Sequence, residues 1–417
     1  MSEGSPSTKL LVWLTCLLAF AVIWFGWSDH YSLWTIYPSR PIWGRDFYAG
    51  YLTEAAILRD GALEAIWNPK LNAAWQVQHG FPNVFNELPY PPLMALFWVP
   101  ATYLTPYDAT SSWFYCNILM ALVIGCWSVW IAAYSLQWKE RLLLSVVAGS
   151  SLIFAAPSMD VILSGQMSLF LVLLLLIFIS NYTAGRKVIA AFALALAISL
   201  KIYPFIFLLV PIARRDYKFV GGVVAGCLFL LAPFLVYTGS NGVSAYAEYF
   251  TQVLPTLTGT GSALADQSIK GVATRYLGDI GGPLGTLGSL LMLAVSAYFL
   301  RRRRPEVIAD CSYIFAVVSI LQICCIGRSW PNYHVILWPT VAFAYRAKIN
   351  PQAVLALLGL VFIQALFDGE VTGSTDGILV RNVVMTWGST LFINLAIWGI
   401  LLSQAEPPRV GELETSS

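Results

Sequence analysis

Five short clusters of basic side chains punctuate the chain, and each lies between two long apolar runs. They are QWKER (Gln137 to Arg141), AGRK (Ala184 to Lys187), RRDYK (Arg214 to Lys218), RRRR (Arg301 to Arg304) and RAK (Arg346 to Lys348). A chain patterned this way has few folds open to it. In hydrocarbon every backbone N–H and C=O must be satisfied inside the protein, so the apolar runs become membrane helices. Composition agrees: 58% of the residues are hydrophobic and 11% charged, where a soluble domain carries about a quarter charged. Lys/Arg islands between spans mark cytoplasmic loops, which argues against a nucleic-acid partner for RRRR. The class is all-α, polytopic and membrane-embedded.

A crossing needs about 20 apolar residues, fewer where the helix is broken. Runs near 10–27, 109–134, 142–157, 166–182, 187–200, 202–213, 219–237, 284–300, 308–326, 333–345, 351–367 and 385–402 give about twelve spans, with no internal repeat. The first run ends in the bulky WFGW, a poor cleavage site, so it reads as a retained span. One segment is ambiguous: PPLMALFWVPATYL (Pro91 to Leu104) is apolar but only about fourteen residues long. Laid along the interface, it leaves every basic island on the side of the N-terminus. Made to span, it turns the later islands outward, against the positive-inside bias. The interfacial assignment therefore stands. Residues 1–403 form one membrane domain, with a first external loop at 28–108 carrying interfacial helices and a second at 238–283. Shorter external turns fall at 158–166, 200–204, 327–334 and 368–384, and a polar tail, 404–417, is expected to be disordered in the cytoplasm. Large loops on one face and small basic turns on the other place the chemistry outside, at the plasma membrane.

The seven cysteines lie in or beside apolar segments, without metal-ligand spacing, and read as small buried thiols. The sequon at Asn181 falls in a cytoplasmic turn, where it has no use. No DxD cluster of the kind that holds a metal-bound nucleotide sugar is present, so neither a metal nor a cofactor is expected.

Three sets of residues stand out. GRDFYAGYLTEAAILRDG places Asp46 before a helix over about 47–59, where apolar side chains mix with Glu54 and Arg59 as in a membrane-surface helix. Asp46 fits its N-cap, and equally fits a base that takes a proton from an attacking hydroxyl; spacing does not separate the two. Lys201 ends the run VIAAFALALAISL and Pro204 follows at once. An intramembrane lysine is costly, so it either snorkels to the interface or holds an anion such as a lipid-linked phosphate. ADQSIKGVATRYLG carries Lys270 and Arg275, and GRSWPNYHVILWP carries Arg328, Trp330 and His334. Cations beside aromatic rings suit a phosphate and a pyranose, and also suit plain interfacial anchoring. Gln166, in SGQMSLFLVLLLL, proves by itself only a helix start.

In kind and order, GRDFYAGYLTEAAILRDGALEAIWNP, YPPLMALFWVPATYL, SGQMSLFLVLLLL, LKIYPFIFLLVPIARRDYKFVGG, DQSIKGVATR and SWPNYHVILWP resemble the membrane proteins of glycosyltransferase family 87 over about residues 10–345. That family includes polyprenyl-phosphomannose-dependent α-1,2-mannosyltransferases. The resemblance implies a GT-C-like bundle, with Asp46 as general base and Lys201, Lys270, Arg275 and Arg328 around the donor phosphate. Arg45, Tyr48, Tyr90 and Gln166 would shape the substrate pocket, as would Asp266, Gln267, Trp330 and His334. The sequence departs from the family in WPNYH, with His334 where a His pair is frequent, and in Asp266, where Asn usually precedes Gln-Ser. The implied activity is an inverting transfer of a sugar, mannose first, from polyprenyl phosphate to a glycolipid or polysaccharide hydroxyl. A flippase for a lipid-linked sugar and a polysaccharide polymerase or ligase are the alternatives.

Overall fold

The computed structural model describes residues 16–24, 27, 46–66, 68–81, 90–133, 136–257, 266–302, 311–325, 329–347, 349–367 and 389–404. Among these residues the regular structure is helical throughout. The elements used below are α1 (Thr53–Arg59), α2 (Leu93–Trp98), α3 (Pro106–Ala132), α4 (Trp138–Phe154), α5 (Ala156–Ser164), α6 (Ser168–Thr183) and α7 (Lys187–Leu200), followed by α8 (Tyr217–Thr238), α9 (Ile269–Leu277), α10 (Gly281–Arg302), α11 (Ser312–Cys325), α12 (Leu337–Arg346), α13 (Pro351–Phe367) and α14 (Ser389–Ser403).

Among the described residues three stretches are long and apolar enough to cross a membrane: Pro106–Ala132, Tyr217–Thr238 and Ile269–Leu300. A fourth appears if α4 and α5, bent by 60°, count as one broken span. That is short of the about twelve expected, because most of the other apolar runs fold as helices of 10–17 residues. The chain is nonetheless an all-α polytopic membrane protein. The segment at 91–104 becomes α2 and a 3-10 turn, Val99–Tyr103, with Leu93, Met94, Ala95 and Trp98 buried.

Local sequence sets these boundaries. Thr105 caps α3 by accepting the Asp108 N–H, with Pro106 at the first helical position. In its second half α3 touches α4 backbone to backbone: a Cβ on Gly125 would sit 2.6 Å from the Ala148 carbonyl. Extended Ala155 breaks α4 from α5, with Pro157 in the first turn of α5 where its missing N–H costs nothing, and left-handed Gly165 (φ 74°) ends α5. The stretch Ile269–Leu300 is a hairpin, not a straight rod. A Cβ on Gly285 would meet the Lys270 Cα at 2.5 Å, and one on Gly281 the Ala273 carbonyl at 2.2 Å, so α9 lies folded back on α10.

Burial orders the elements. In α11 every residue from Ser312 to Cys324 is buried, the mark of a helix inside the bundle. In α8 only Phe219, Val223 and Phe234 are buried, which leaves an apolar outer surface for lipid.

Candidate active site

The expected surface helix is not one. Phe47–Leu52 forms a π turn that runs into α1, and nearly every residue from Phe47 to Leu58 is buried, Glu54 included. The mixed sequence resembles an amphipathic stripe, but its partners are protein: Phe47 packs on Trp98 at 4.9 Å and on Trp113 at 6.1 Å. Nor does Asp46 cap the turn. Its backbone is helical (φ −74°, ψ −32°) and its side chain makes no capping bond. Its Oδ2 instead accepts a hydrogen bond from Nε2 of Gln166.

That bond is part of a lock. Gln166 Oε1 accepts the hydroxyls of Tyr51 (2.9 Å) and Tyr90 (3.2 Å), so the amide nitrogen must face Asp46. Gln166 stands on the three-residue link between α5 and α6, and the Gly165 carbonyl accepts Nε1–H of Trp113 at 2.8 Å, fixing the link to α3. The π turn matters here, because its i→i+5 bonding brings Tyr51 round toward the side of Asp46, five residues earlier. The Thr53 hydroxyl donates to the Tyr48 carbonyl at 2.9 Å, again across five residues.

Lys201 completes the group. It ends α7 in extended backbone (φ −151°, ψ 122°) and is 4% exposed. Its ammonium faces three tyrosine rings, with Nζ at 4.8 Å from the centroid of Tyr90, 5.4 Å from Tyr203 and 4.6 Å from Tyr333. Among the described residues Nζ has no hydrogen-bond partner. Ring faces attract a cation but accept no strong hydrogen bond from it, so the buried ammonium has no direct ion pair among the described residues and feels the Asp46 carboxylate only at a distance. Snorkelling is ruled out by that burial.

The profile of glycosyltransferase family 87 matches residues 88–324, more than half of the chain. The chain belongs to this family. It is also 26% identical over 299 residues to the polyprenol-phosphate-mannose-dependent alpha-(1-2)-phosphatidylinositol mannoside mannosyltransferase of Mycobacterium tuberculosis. That match covers 66% of each chain, so just under two thirds of the relative's length is spanned. No solved structure matches. Family and fold together make the chain an all-α membrane protein of glycosyltransferase family 87. The family match begins after Asp46, which reaches the matched region through Gln166.

The other expected site residues of this family 87 chain form a second group. Asp266 is buried, and its Oδ1 accepts the backbone N–H groups of Ser268 (3.0 Å) and Ser329 (2.9 Å). The Gln267 N–H donates to the Ser329 carbonyl at 2.8 Å, and Arg275 donates to the Asp266 carbonyl. Burial raises the Asp266 carboxyl, and the two N–H bonds and Arg275 oppose that rise. The clip ties the α9 hairpin to the segment that presents Tyr333 to Lys201. Half-buried Lys270 stands in the first turn of α9, packed on Gly285 through its backbone. Trp330 is half-buried, while His334 is buried with Nε2 3.5 Å from Asn394 Nδ2. Tyr48 stacks at 5.8 Å on Phe81, apart from the Gln166 lock. Arg45 and Arg328 lie outside the described residues.

Sequence reasoning missed Tyr51, Tyr203 and Tyr333. An α-helical reading turns Tyr51 away from Asp46, and only the π turn restores it. Tyr203, two residues after Lys201, was legible as a neighbour. Among the described residues no group of three or more His, Cys, Asp or Glu could hold a metal.

Proposed function

We propose that this protein transfers mannose from a polyprenyl-phosphate donor to a hydroxyl of a glycolipid or polysaccharide acceptor. The site would lie at the extracytoplasmic face of the plasma membrane. The carrying observation is the buried ammonium of Lys201, caged by tyrosine rings and grouped through Tyr90 and Gln166 with the carboxylate of Asp46. The donor named in the tuberculosis relative supports the same reading.

In this mechanism Asp46 accepts the proton of the acceptor hydroxyl as its oxygen bonds to the anomeric carbon. The bond from that carbon to the phosphate oxygen breaks, and its electron pair leaves with polyprenyl phosphate. Charge grows on the departing phosphate, and Lys201 stabilises it in a site of low dielectric. Attack opposite the leaving group inverts the anomeric centre. Gln166 keeps the carboxylate aimed, and the tyrosine hydroxyls keep Gln166 from flipping.

Asp46→Asn tests the assignment. A general base contributes about 10²–10⁴-fold, so transfer from labelled polyprenyl-phosphate mannose should fall by that factor while the amount of membrane-inserted protein is unchanged. Normal transfer by the variant would reject Asp46 as the base. Running the assay in detergent, with no second compartment, also separates transfer from flipping, since a flippase would yield no product. A panel of polyprenyl-phosphate sugars decides the sugar.

A further inference from the structure

A cavity lies toward the other end of α3 from the Asp46 site. α3 passes Phe47 at Trp113, and the cavity begins nearly half its length later, at Gly125. It is a crevice of about 1060 Å³ counting its open mouth. Its walls are α3, α4, α12, α13 and the helical stretch 16–24, and its lining is almost wholly apolar, with Ala132, Trp338, Val354 and Phe362 typical. The lining runs from Gly125 to Ala132 on α3, from Trp338 to Tyr345 on α12 and from Val354 to Phe362 on α13. At 1.5 Å per residue these walls are about 10–12 Å deep, most of one leaflet of a hydrocarbon core about 30 Å thick.

One end of the crevice is basic. The lining residues Leu136 and Tyr345 adjoin the islands that hold Lys139, Arg141 and Arg346. Arg141 is held there: its guanidinium covers the Trp130 ring at 3.9 Å, and its Nε donates to the Trp130 carbonyl at 2.8 Å. An apolar slot of leaflet depth with cations at its rim fits an acyl chain below an anionic headgroup. We infer that this crevice is a binding site for an anionic phospholipid of the leaflet that borders the basic islands, one acyl chain filling the slot and Arg141 and Arg346 at the phosphate. The donor's phosphate belongs at the opposite end, with Lys201, so its chain does not start here.

The full chain, purified in detergent and stripped of lipid, is mixed with dioleoylphosphatidylglycerol or dioleoylphosphatidylcholine, and bound lipid is counted by native mass spectrometry. The anionic lipid should be retained and the zwitterionic one largely lost. Each cation near an anionic lipid is worth about fivefold, so Arg141→Gln with Arg346→Gln should weaken retention roughly thirtyfold. Ala132→Phe, which fills the slot, should lower retention of both lipids; if that variant fails to fold, the charge variants decide alone. Equal retention of the two lipids, indifference to the charge changes, or one-for-one displacement by polyprenyl phosphate would overturn the assignment. The transfer-dead Asp46→Asn protein should still hold the lipid, so this site and the proposed reaction stand or fall separately.

Discussion

Two phenolic hydroxyls decide which way the Gln166 amide points, and removing them allows it to turn its oxygen toward the Asp46 carboxylate. Each lost hydrogen bond is worth about 1 kcal/mol, or about fivefold in rate. Tyr51→Phe and Tyr90→Phe should each lower kcat by about that factor, and the double variant by roughly thirtyfold, with KM for the donor little changed. Steady-state kinetics in detergent check this; a double variant with unaltered kcat removes Gln166 from the mechanism. Lys201 makes the opposite kind of prediction. An ammonium buried with no direct ion pair, and with the Asp46 carboxylate acting on it only at a distance, destabilises the free protein, and an apolar side chain of similar length does not. Lys201→Met should therefore raise the melting temperature of the ligand-free protein while abolishing transfer. It should also lose the stabilisation that added polyprenyl phosphate gives the native chain. A lower melting temperature in the variant would mean that attraction to Asp46 already outweighs the cost of burying the ammonium.

At the scale of elements, the clip at Asp266 gives the sharpest steric forecast. A Cβ on Gly271 would stand 2.3 Å from the Asp266 Cγ. Gly271→Ala should cost about 1–3 kcal/mol by overpacking and lower transfer by loosening the segment that carries Tyr333, as thermal denaturation and activity together would report. Helix α1 supplies a pH signature. Burial pushes the Glu54 carboxyl well above its ordinary value of 4.5. The native state then binds a proton that the unfolded chain releases, so stability from this group is full below about pH 4.5 and declines as pH rises toward the native value. Glu54→Gln should flatten that decline, seen by comparing melting temperatures at pH 5 and pH 8. The same helix shows where sequence stops. Lys201 and Asp46 stood out in the sequence because charges are conspicuous beside apolar runs, whereas Gln166 by itself read only as a helix start and entered through the family resemblance. That Phe47–Leu52 is a π turn, and that α1 is buried and does not float on lipid, depended on Trp98 and Trp113 arriving from later in the chain. Helix breaks were legible at Pro157 and Pro204, whereas the α9–α10 hairpin was not, since nothing in GDIGGPLG distinguishes a fold-back from a span that starts late.

Over the whole molecule the distribution of charge implies an orientation. α3 is about 40 Å long at 1.5 Å per residue, enough to pass a hydrocarbon core of about 30 Å with some tilt. Its first turns reach the Asp46 site, where Trp113 binds the Gly165 carbonyl, and its last turns reach Arg141. The site and the basic island of Arg141 therefore occupy opposite ends of one helix. If Lys and Arg are retained on the cytoplasmic side, the end bearing Asp46 faces out, where a base at the membrane surface can meet a lipid-linked donor. Single cysteines in a cysteine-free background report this directly. With a membrane-impermeant maleimide on intact cells, Tyr107→Cys at the start of α3 should label at once, and Lys139→Cys at the start of α4 only after permeabilisation. Both positions are exposed, so access to the reagent and not burial sets the outcome. The reverse pattern would put the site in the cytosol and remove the extracytoplasmic reaction, while leaving the geometry of Asp46, Gln166 and Lys201 to serve a donor presented on the inner leaflet.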